Sequence, residues 1–146
     1  MGIPQVSDEA PKFFPDEYKA FAYKEGDVLA DHAQDDQITL HRILKIDRHD
    51  LPKFSGINIA GKAFVAPIDD WLLIISILIC DRMFNSFDEA RAYVSAGSWS
   101  TKAHVPMRAP GAGRGTLVGN IAVRDSEFAG YNYWRTEFAK GKAGIF

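Results

Sequence analysis

The sequence predicts an α+β domain with a curved, mainly antiparallel sheet of about five or six strands and two helices packed on it. Segments with the period-two alternation of strands lie on both sides of a segment with helical periodicity. Short polar loops join neighbouring strand segments, which is typical of antiparallel pairing. The 146 residues fit one domain spanning 1–146, which is large enough for a core without disulfides.

The first segment, residues 1–14, has two prolines, two carboxylates and little apolar periodicity. It is therefore expected to be a loose N-terminal arm. A short helix is expected to begin at Pro15, because proline is favoured in a first helical turn. Asp16 and Glu17 suit the positive N-terminal end of such a helix.

Residues 24–47, KEGDVLADHAQDDQITLHRILKID, predict a β-hairpin with a polar loop at 33–37. One face of the second strand is apolar except for an arginine: Ile38, Leu40, Arg42, Leu44 and Ile46. The other face is mostly polar: Thr39, His41, Ile43, Lys45 and Asp47. This alternation indicates a strand with one buried face.

Residues 48–67 are punctuated by proline and glycine. RHDLPKFSG, residues 48–56, is expected to be a loop. INIAGKAFVAP, residues 57–67, predicts either two short strands about Gly61 and Lys62 or one bent strand with a bulge at the glycine.

The segment DDWLLIISILICD, residues 69–81, is apolar on both faces and predicts the central strand of the sheet. A buried helix is the alternative. As a strand it has two alternating sets: Trp71, Leu73, Ile75, Ile77 and Ile79, and then Leu72, Ile74, Leu78 and Cys80. Both sets are expected to be largely buried.

A helix is predicted over 86–96. Ser86 and Glu89 have the spacing of a capping box. Phe87, Ala90 and Val94 form one apolar stripe, and Gly97 suits the position after the helix.

The last third of the chain predicts two strands and a helix. SWSTKAHVPM (98–107) and GTLVGNIAV (115–123) are read as strands, and RAPGAGRG (108–115) between them as a flexible loop. The tail helix is predicted over 125–140, with Asp125 as its N-cap. Its apolar face carries four aromatic residues: Phe128, Tyr131, Trp134 and Phe138.

Composition argues against several classes of protein. A net charge of −2 and an isoelectric point near 6.1 argue against a nucleic-acid partner. The longest apolar run, residues 71–80, is too short to span a membrane. The single cysteine and the lack of a signal-peptide pattern favour a cytoplasmic location.

Catalytic and metal-binding patterns are weak. His32 and His41 lie on the two hairpin strands and could bind a transition metal with Asp31 or Asp47, although two exposed strand histidines are the commoner arrangement. Cys80 ends the most apolar run, which favours an inert thiol. We therefore expect no catalytic residues, no metal and no cofactor, and we expect a binding protein rather than an enzyme.

Carboxylates suggest a docking surface. Asp31, Asp35, Asp36 and Asp47 belong to the hairpin and could form a negative surface for a basic partner. A solvated hairpin tip is the alternative interpretation. A second candidate is the loop that contains Lys102, His104, Arg108 and Arg114.

The segment YKEGDVLADHAQDDQITLHRIL resembles the opening of bacterial polymorphic-toxin immunity proteins of the immunity protein 26 type. GDVL, AQDD and HRIL correspond to its first strand, turn and second strand, and LVGNIAV is similar to a later IGN-x-P-[LV] segment. The helix at 85–97 is extra, and the tryptophan expected before the glycine-asparagine pair is absent unless Trp99 serves. The resemblance implies neutralisation of a cognate toxin domain by binding.

Two other functions remain as alternatives. A small-ligand-binding protein or small enzyme would have a pocket between sheet and helices. A nucleic-acid-binding regulator is disfavoured by the net charge. The sequence leaves the oligomeric state open.

Overall fold

The computed structural model describes residues 12–146. It contains seven strands and three α-helices in this order: β1 (Asp27–His32), β2 (Ile38–Leu51), β3 (Gly56–Ile59), β4 (Lys62–Val65), β5 (Asp70–Phe84), α1 (Phe87–Ser95), β6 (Thr101–Arg108), α2 (Ala109–Ala112), β7 (Thr116–Asn120) and α3 (Ala129–Ala139). Single 3₁₀ turns lie at Asp16–Tyr18, Gln34–Asp36 and Asp125–Phe128. No helix in this part of the chain is long and apolar enough to cross a membrane.

The main sheet has five strands in the order β6-β5-β2-β1-β7, and every neighbouring pair is antiparallel. Strands β3 and β4 form a separate two-stranded sheet. The α+β class and the antiparallel sheet predicted from the sequence are confirmed.

Strand β5 confirms the predicted alternation. Leu72, Ile74 and Leu78 pack in the core that α3 covers, and Cys80 packs in the core that α1 covers. The opposite set, which includes Ile75 and Ile77, packs against α2. Burial is less complete than predicted on that second face, where three members are only half-buried: Trp71, Leu73 and Ile79.

The predicted hairpin of β1 and β2 is confirmed, but β2 differs from the prediction in length and alternation. The strand continues to Leu51, so the segment expected to be a loop from residue 48 pairs with β5 instead. The register between β2 and β5 shifts between Ile43 and Lys45. Because of this irregularity Ile43 and Leu44 are both fully buried, and Ile46 packs with Ile43 rather than with Leu44.

The helix predicted at 86–96 is confirmed as α1. The Ser86 hydroxyl accepts a hydrogen bond from Glu89 N at 3.1 Å, which is half of the predicted capping box; the Glu89 carboxylate accepts from Asn85 N at 3.1 Å rather than from Ser86 N. Ala90 and Val94 are buried, and Gly97 has the left-handed φ of 72° that favours glycine after a helix.

Three other segments need correction or refinement. Residues 57–65 follow the two-strand alternative, as β3 and β4. The glycine-rich segment expected to be a loop contains the short helix α2. The tail begins as a 3₁₀ turn with Arg124, not Asp125, at the N-cap, and α3 starts only at Ala129.

The N-terminal prediction is tested only in part. Residues 1–11 lie outside the described residues. Phe14 does not belong to a loose arm, since it is 4% exposed in the core. The backbone N–H groups of Phe13 and Phe14 both donate to the Asp70 carboxylate, at 2.6 and 2.7 Å. The short helix expected at Pro15 is the 3₁₀ turn Asp16–Tyr18, with Pro15 as its N-cap.

Candidate functional site

The loop between β1 and β2 presents two carboxylates to solvent. Ala33 N donates to Gln37 O at 2.8 Å and closes the loop. Asp35 and Asp36 have φ angles of 63° and 59°, in the left-handed region that aspartate tolerates better than most residues. Both side chains are exposed, and neither has a hydrogen bond or ion pair with any of residues 12–146. The loop therefore concentrates uncompensated negative charge.

Two exposed apolar side chains lie on the sheet face that carries Asp31. The sheet register places Asp31, Thr39 and Met83 side by side across β1, β2 and β5. Residues directly opposite each other share a face of the sheet, so Met83, which is 52% exposed, lies on the same face as Asp31. Leu117 is 48% exposed and opposes Leu29 in the next row of that face. We call the set Asp31, Asp35, Asp36, Met83 and Leu117 the tip surface.

Asp47 does not belong to this surface. It lies nine residues along β2 from Ile38, which corresponds to about 30 Å of strand. Its carboxylate accepts a hydrogen bond from the Tyr131 hydroxyl at 2.6 Å. Burial and the Asp47 carboxylate raise the pKa of Tyr131 to about 12. Asp47 therefore anchors α3 to the sheet at the far end of the hairpin.

The two hairpin histidines do not come together. The His32 ring contacts Phe87 of α1, with 5.1 Å between ring centroids. His41 Nε2 lies 2.7 Å from Ala112 O on the other face, where it donates to the carbonyl. Burial lowers the pKa of His41. Within residues 12–146, no three side chains of histidine, cysteine, aspartate or glutamate are grouped to hold a metal ion.

A buried ion pair between Arg42 and Glu127 connects the hairpin to the tail. The Arg42 side chain is fully buried, and its Nη1 donates to Glu127 Oε2 at 2.8 Å. Its Nη2 also bonds to Glu127 Oε1, and its Nε and Nη2 donate to Ile121 O and Ala122 O at 3.0 and 3.1 Å. The guanidinium carbon lies 5.2 Å from the centroid of the Trp99 ring.

This pair was not predicted from the sequence, although an arginine on an otherwise apolar strand face is a signal for a buried partner. Burial acts to raise the pKa of Glu127, but hydrogen bonds from Arg42 and from Arg124 N outweigh burial and lower it. Arg42 thus holds residues 121–127 against the sheet and fixes the second strand of the hairpin.

The second candidate segment is not a loop. Lys102, His104 and Arg108 lie on β6, and Arg114 follows α2. His104 contacts the rings of α3, and Arg108 donates to Phe146 O at 3.2 Å and to the Tyr18 hydroxyl at 2.8 Å. Of the four, Lys102 and Arg114 are exposed and the other two are half-buried, so the four side chains do not form one binding surface.

Several grooves open on the described surface. The first, about 680 Å³, is lined by opposite charges that pair with each other, such as Lys19 with Asp70 at 2.6 Å and Arg48 with Asp50 at 3.0 Å. A second groove of about 630 Å³ lies between the β3–β4 hairpin and α3. A third of about 420 Å³ includes His104.

Comparison with known proteins adds no family to this geometry. A scan against protein-family models and searches of the curated proteins and the solved structures find no match to the chain. The resemblance to immunity proteins therefore stays a prediction, and the described side chains have to carry any functional proposal.

Proposed function

We propose that this protein is an immunity protein, which binds a cognate bacterial toxin domain and neutralises it by protein–protein contact. The observation that carries the proposal is the tip surface, where the exposed, unpaired carboxylates of Asp35 and Asp36 lie at the end of the sheet face that carries the exposed side chains of Met83 and Leu117. Exposed apolar side chains on the same face as uncompensated charge offer the two kinds of contact that protein interfaces combine.

The charge of the tip surface defines the chemistry of the partner. Uncompensated carboxylates attract a basic surface over long range and speed its association. Toxin domains that act on nucleotides or nucleic acids carry such basic surfaces. Met83 and Leu117 would supply apolar contact once the partner is docked, and burying their exposed side chains would slow dissociation.

The scaffold holds the tip surface in place before binding. Strand β1 is paired on both sides, with β2 and β7, and β2 is paired with both β1 and β5. The Arg42–Glu127 pair adds a buried connection from β2 to the tail. A preformed surface loses little conformational entropy on binding, so more of the contact energy is available as affinity.

The test uses the toxin domain encoded beside the gene for this protein. The double variant Asp35→Lys/Asp36→Lys changes the net charge of the chain from −2 to +2, since each reversal adds two units. Glu17→Lys/Asp125→Lys makes the same change at exposed carboxylates outside the tip surface and serves as the control.

Association rates are measured for all three proteins at low and high salt. The tip variant should associate about tenfold more slowly than the control at low salt, and the difference should shrink as salt screens the charges. Equal association rates for the tip variant and the control at both salt concentrations would contradict a role for the tip.

A second candidate function, the binding of a small ligand, is favoured by the third groove. His104 beside it has a buried Nε2 without a hydrogen-bond partner among residues 12–146, and Trp99 and Lys102 line the same groove. A screen of metabolites by thermal shift tests this function. A ligand that raises the melting temperature of the wild type but not of Lys102→Glu would support it.

A further inference from the structure

Among residues 12–146, strand β4 pairs only with β3, so its other edge has no partner strand there; this edge lies at the end of the molecule away from the tip surface. Ala60 and Gly61 form the two-residue turn of the β3–β4 hairpin, with φ angles of 52° and 81°. In such a hairpin the two residues next to the turn hydrogen-bond to each other, and along β4 residues that bond to β3 then alternate with residues that do not. Ala63 and Val65 do not bond to β3, so their backbone N–H and C=O groups point outward, away from β3. These groups have no backbone partner within residues 12–146.

The groove of about 630 Å³ lies beside this edge. Ala63 and Val65 line it together with their neighbour on β3, Gly56, and α3 supplies the opposite wall with Phe138 and Ala139. Gly56 and Ala63 are small residues, which leave room on the hairpin side of the groove. Val65 is 62% exposed, so an apolar surface continues from the groove to the open edge.

One uncompensated cation lines the groove, and two more lie beside lining residues. Arg135 lines it, Lys62 precedes the lining residue Ala63, and Lys142 lies between two further lining residues. None of these three side chains forms an ion pair with any of residues 12–146. The carboxylate of Asp50, which also lines the groove, is paired with Arg48 at 3.0 Å.

We propose that the edge of β4 binds an extended, acidic segment of another protein, which adds a strand to β4 and inserts an apolar side chain into the groove. Strand addition satisfies the outward backbone groups of Ala63 and Val65, and the side-chain pockets beside the edge give specificity. The three uncompensated cations select carboxylates on the incoming segment. A second copy of this chain fits less well, because pairing two β4 edges would bring their cations together.

This site is independent of the proposed toxin contact. Strand β2 spans 14 residues between the tip loop and the residues that lead into β3, which is about 45 Å of strand. The acidic segment and a basic toxin domain would therefore occupy opposite ends of the protein.

Fluorescence anisotropy of the full chain with two labelled synthetic peptides tests the proposal. One peptide alternates glutamate and valine, and the other has lysine in place of every glutamate. The acidic peptide should bind and the basic peptide should not. Arg135→Glu should weaken binding about fivefold, whereas Arg114→Glu, which reverses an exposed cation elsewhere, should leave it unchanged.

Val65→Pro adds a test of strand addition, because proline removes an outward N–H that does not bond to β3. This variant should lose peptide binding while its circular dichroism spectrum stays that of the wild type. If Val65→Pro fails to fold, the peptide affinities of Arg135→Glu and Arg114→Glu still test whether the acidic peptide binds at this groove. Failure of the acidic peptide to bind, equal binding of both peptides, or equal affinities for the two charge variants would overturn the proposal.

Sedimentation provides the check for a second copy of the chain. A dimer of the wild type that dissociates in Val65→Pro would assign the edge to self-association and overturn the proposed occupant. The tip variant Asp35→Lys/Asp36→Lys should bind the acidic peptide as the wild type does. The peptide result therefore stands or fails separately from toxin binding.

Discussion

Removing the counterion of Arg42 should be among the most damaging single changes in the tail. Glu127→Ala leaves a fully buried guanidinium without its carboxylate. Breaking a buried pair in this way typically costs about 3–5 kcal/mol. A domain has a total stability of about 5–15 kcal/mol, so the variant should lose a large part of it.

The hydrogen bonds that Arg42 keeps in Glu127→Ala show which of its interactions the substitution removes. Arg42 keeps its hydrogen bonds to Ile121 O and Ala122 O in the variant, so the change removes the bonds to the carboxylate and the neutralisation of a buried charge. Replacing both members of the pair by apolar residues, as in Arg42→Met/Glu127→Leu, also removes the buried positive charge. The double variant should therefore be more stable than Glu127→Ala alone, although the two carbonyls lose their donors.

The coupling free energy between Arg42 and Glu127 is measured by urea unfolding, followed by circular dichroism. The cycle compares the wild type, the double variant and its two single variants, Arg42→Met and Glu127→Leu, and Glu127→Ala is measured beside them. The pKa of Glu127 is lowered in the folded protein, so its stabilising contribution is present above its unfolded pKa and is lost as the pH falls through the folded value. The penalty of Glu127→Ala should therefore shrink in acid. A loss below about 1 kcal/mol at pH 7, or a double variant that loses the full sum of the single variants, would refute the reasoning.

Three further predictions concern β5 and β6. Ile77→Ala should cost about 2–5 kcal/mol in urea unfolding, because Ile77 is buried against α2 and the change leaves a cavity; a loss below about 1 kcal/mol would contradict this packing. Ser76→Ala should stabilise the protein by about 1 kcal/mol in the same assay, because the buried Ser76 hydroxyl has no partner among residues 12–146; a loss of stability would reveal a missed hydrogen bond. Burial lowers the pKa of His104 from 6.5 to about 4, so its contribution is complete above pH 6.5 and is lost as the pH falls towards 4. His104→Leu should therefore lose less stability than the wild type between pH 7 and pH 4.5, and equal losses would show that His104 does not titrate in this way.

Strand β5 and helix α1 could be predicted because their local patterns agree with their final environments. Residues 71–80 are apolar on both faces, and the strand is packed on both faces. The bond from Glu89 N to the Ser86 hydroxyl acts within one helical turn and needs no distant contact. Such local agreement is what makes a sequence segment predictable.

The irregular parts of β2 could not be predicted in the same way. The register shift near Ile43 depends on how β2 pairs with β5, which lies far along the chain. The burial of Arg42 depends on Glu127, a partner 85 residues away. Propensity and alternation contain no information about such pairs.

The acidic site was predicted in part. The alternation of polar and apolar residues places Asp35 and Asp36 at the loop, where the structure has them exposed. The structure does not bring Asp47 together with them, because a strand moves away from its turn by about 3.3 Å per residue. Met83 joins the site only through the sheet register, and that long-range pairing was not available from the sequence.

The proposed immunity function is tested most directly by inhibition of the toxin domain encoded beside the gene. Increasing amounts of the wild-type protein, of Asp35→Lys/Asp36→Lys and of the control Glu17→Lys/Asp125→Lys are added to the purified toxin domain, and its remaining activity is measured. The proposal predicts that the wild type and the control abolish toxin activity at an equimolar ratio, and that the tip variant needs about tenfold more protein. A toxin domain that stays fully active in excess wild-type protein would contradict the immunity function.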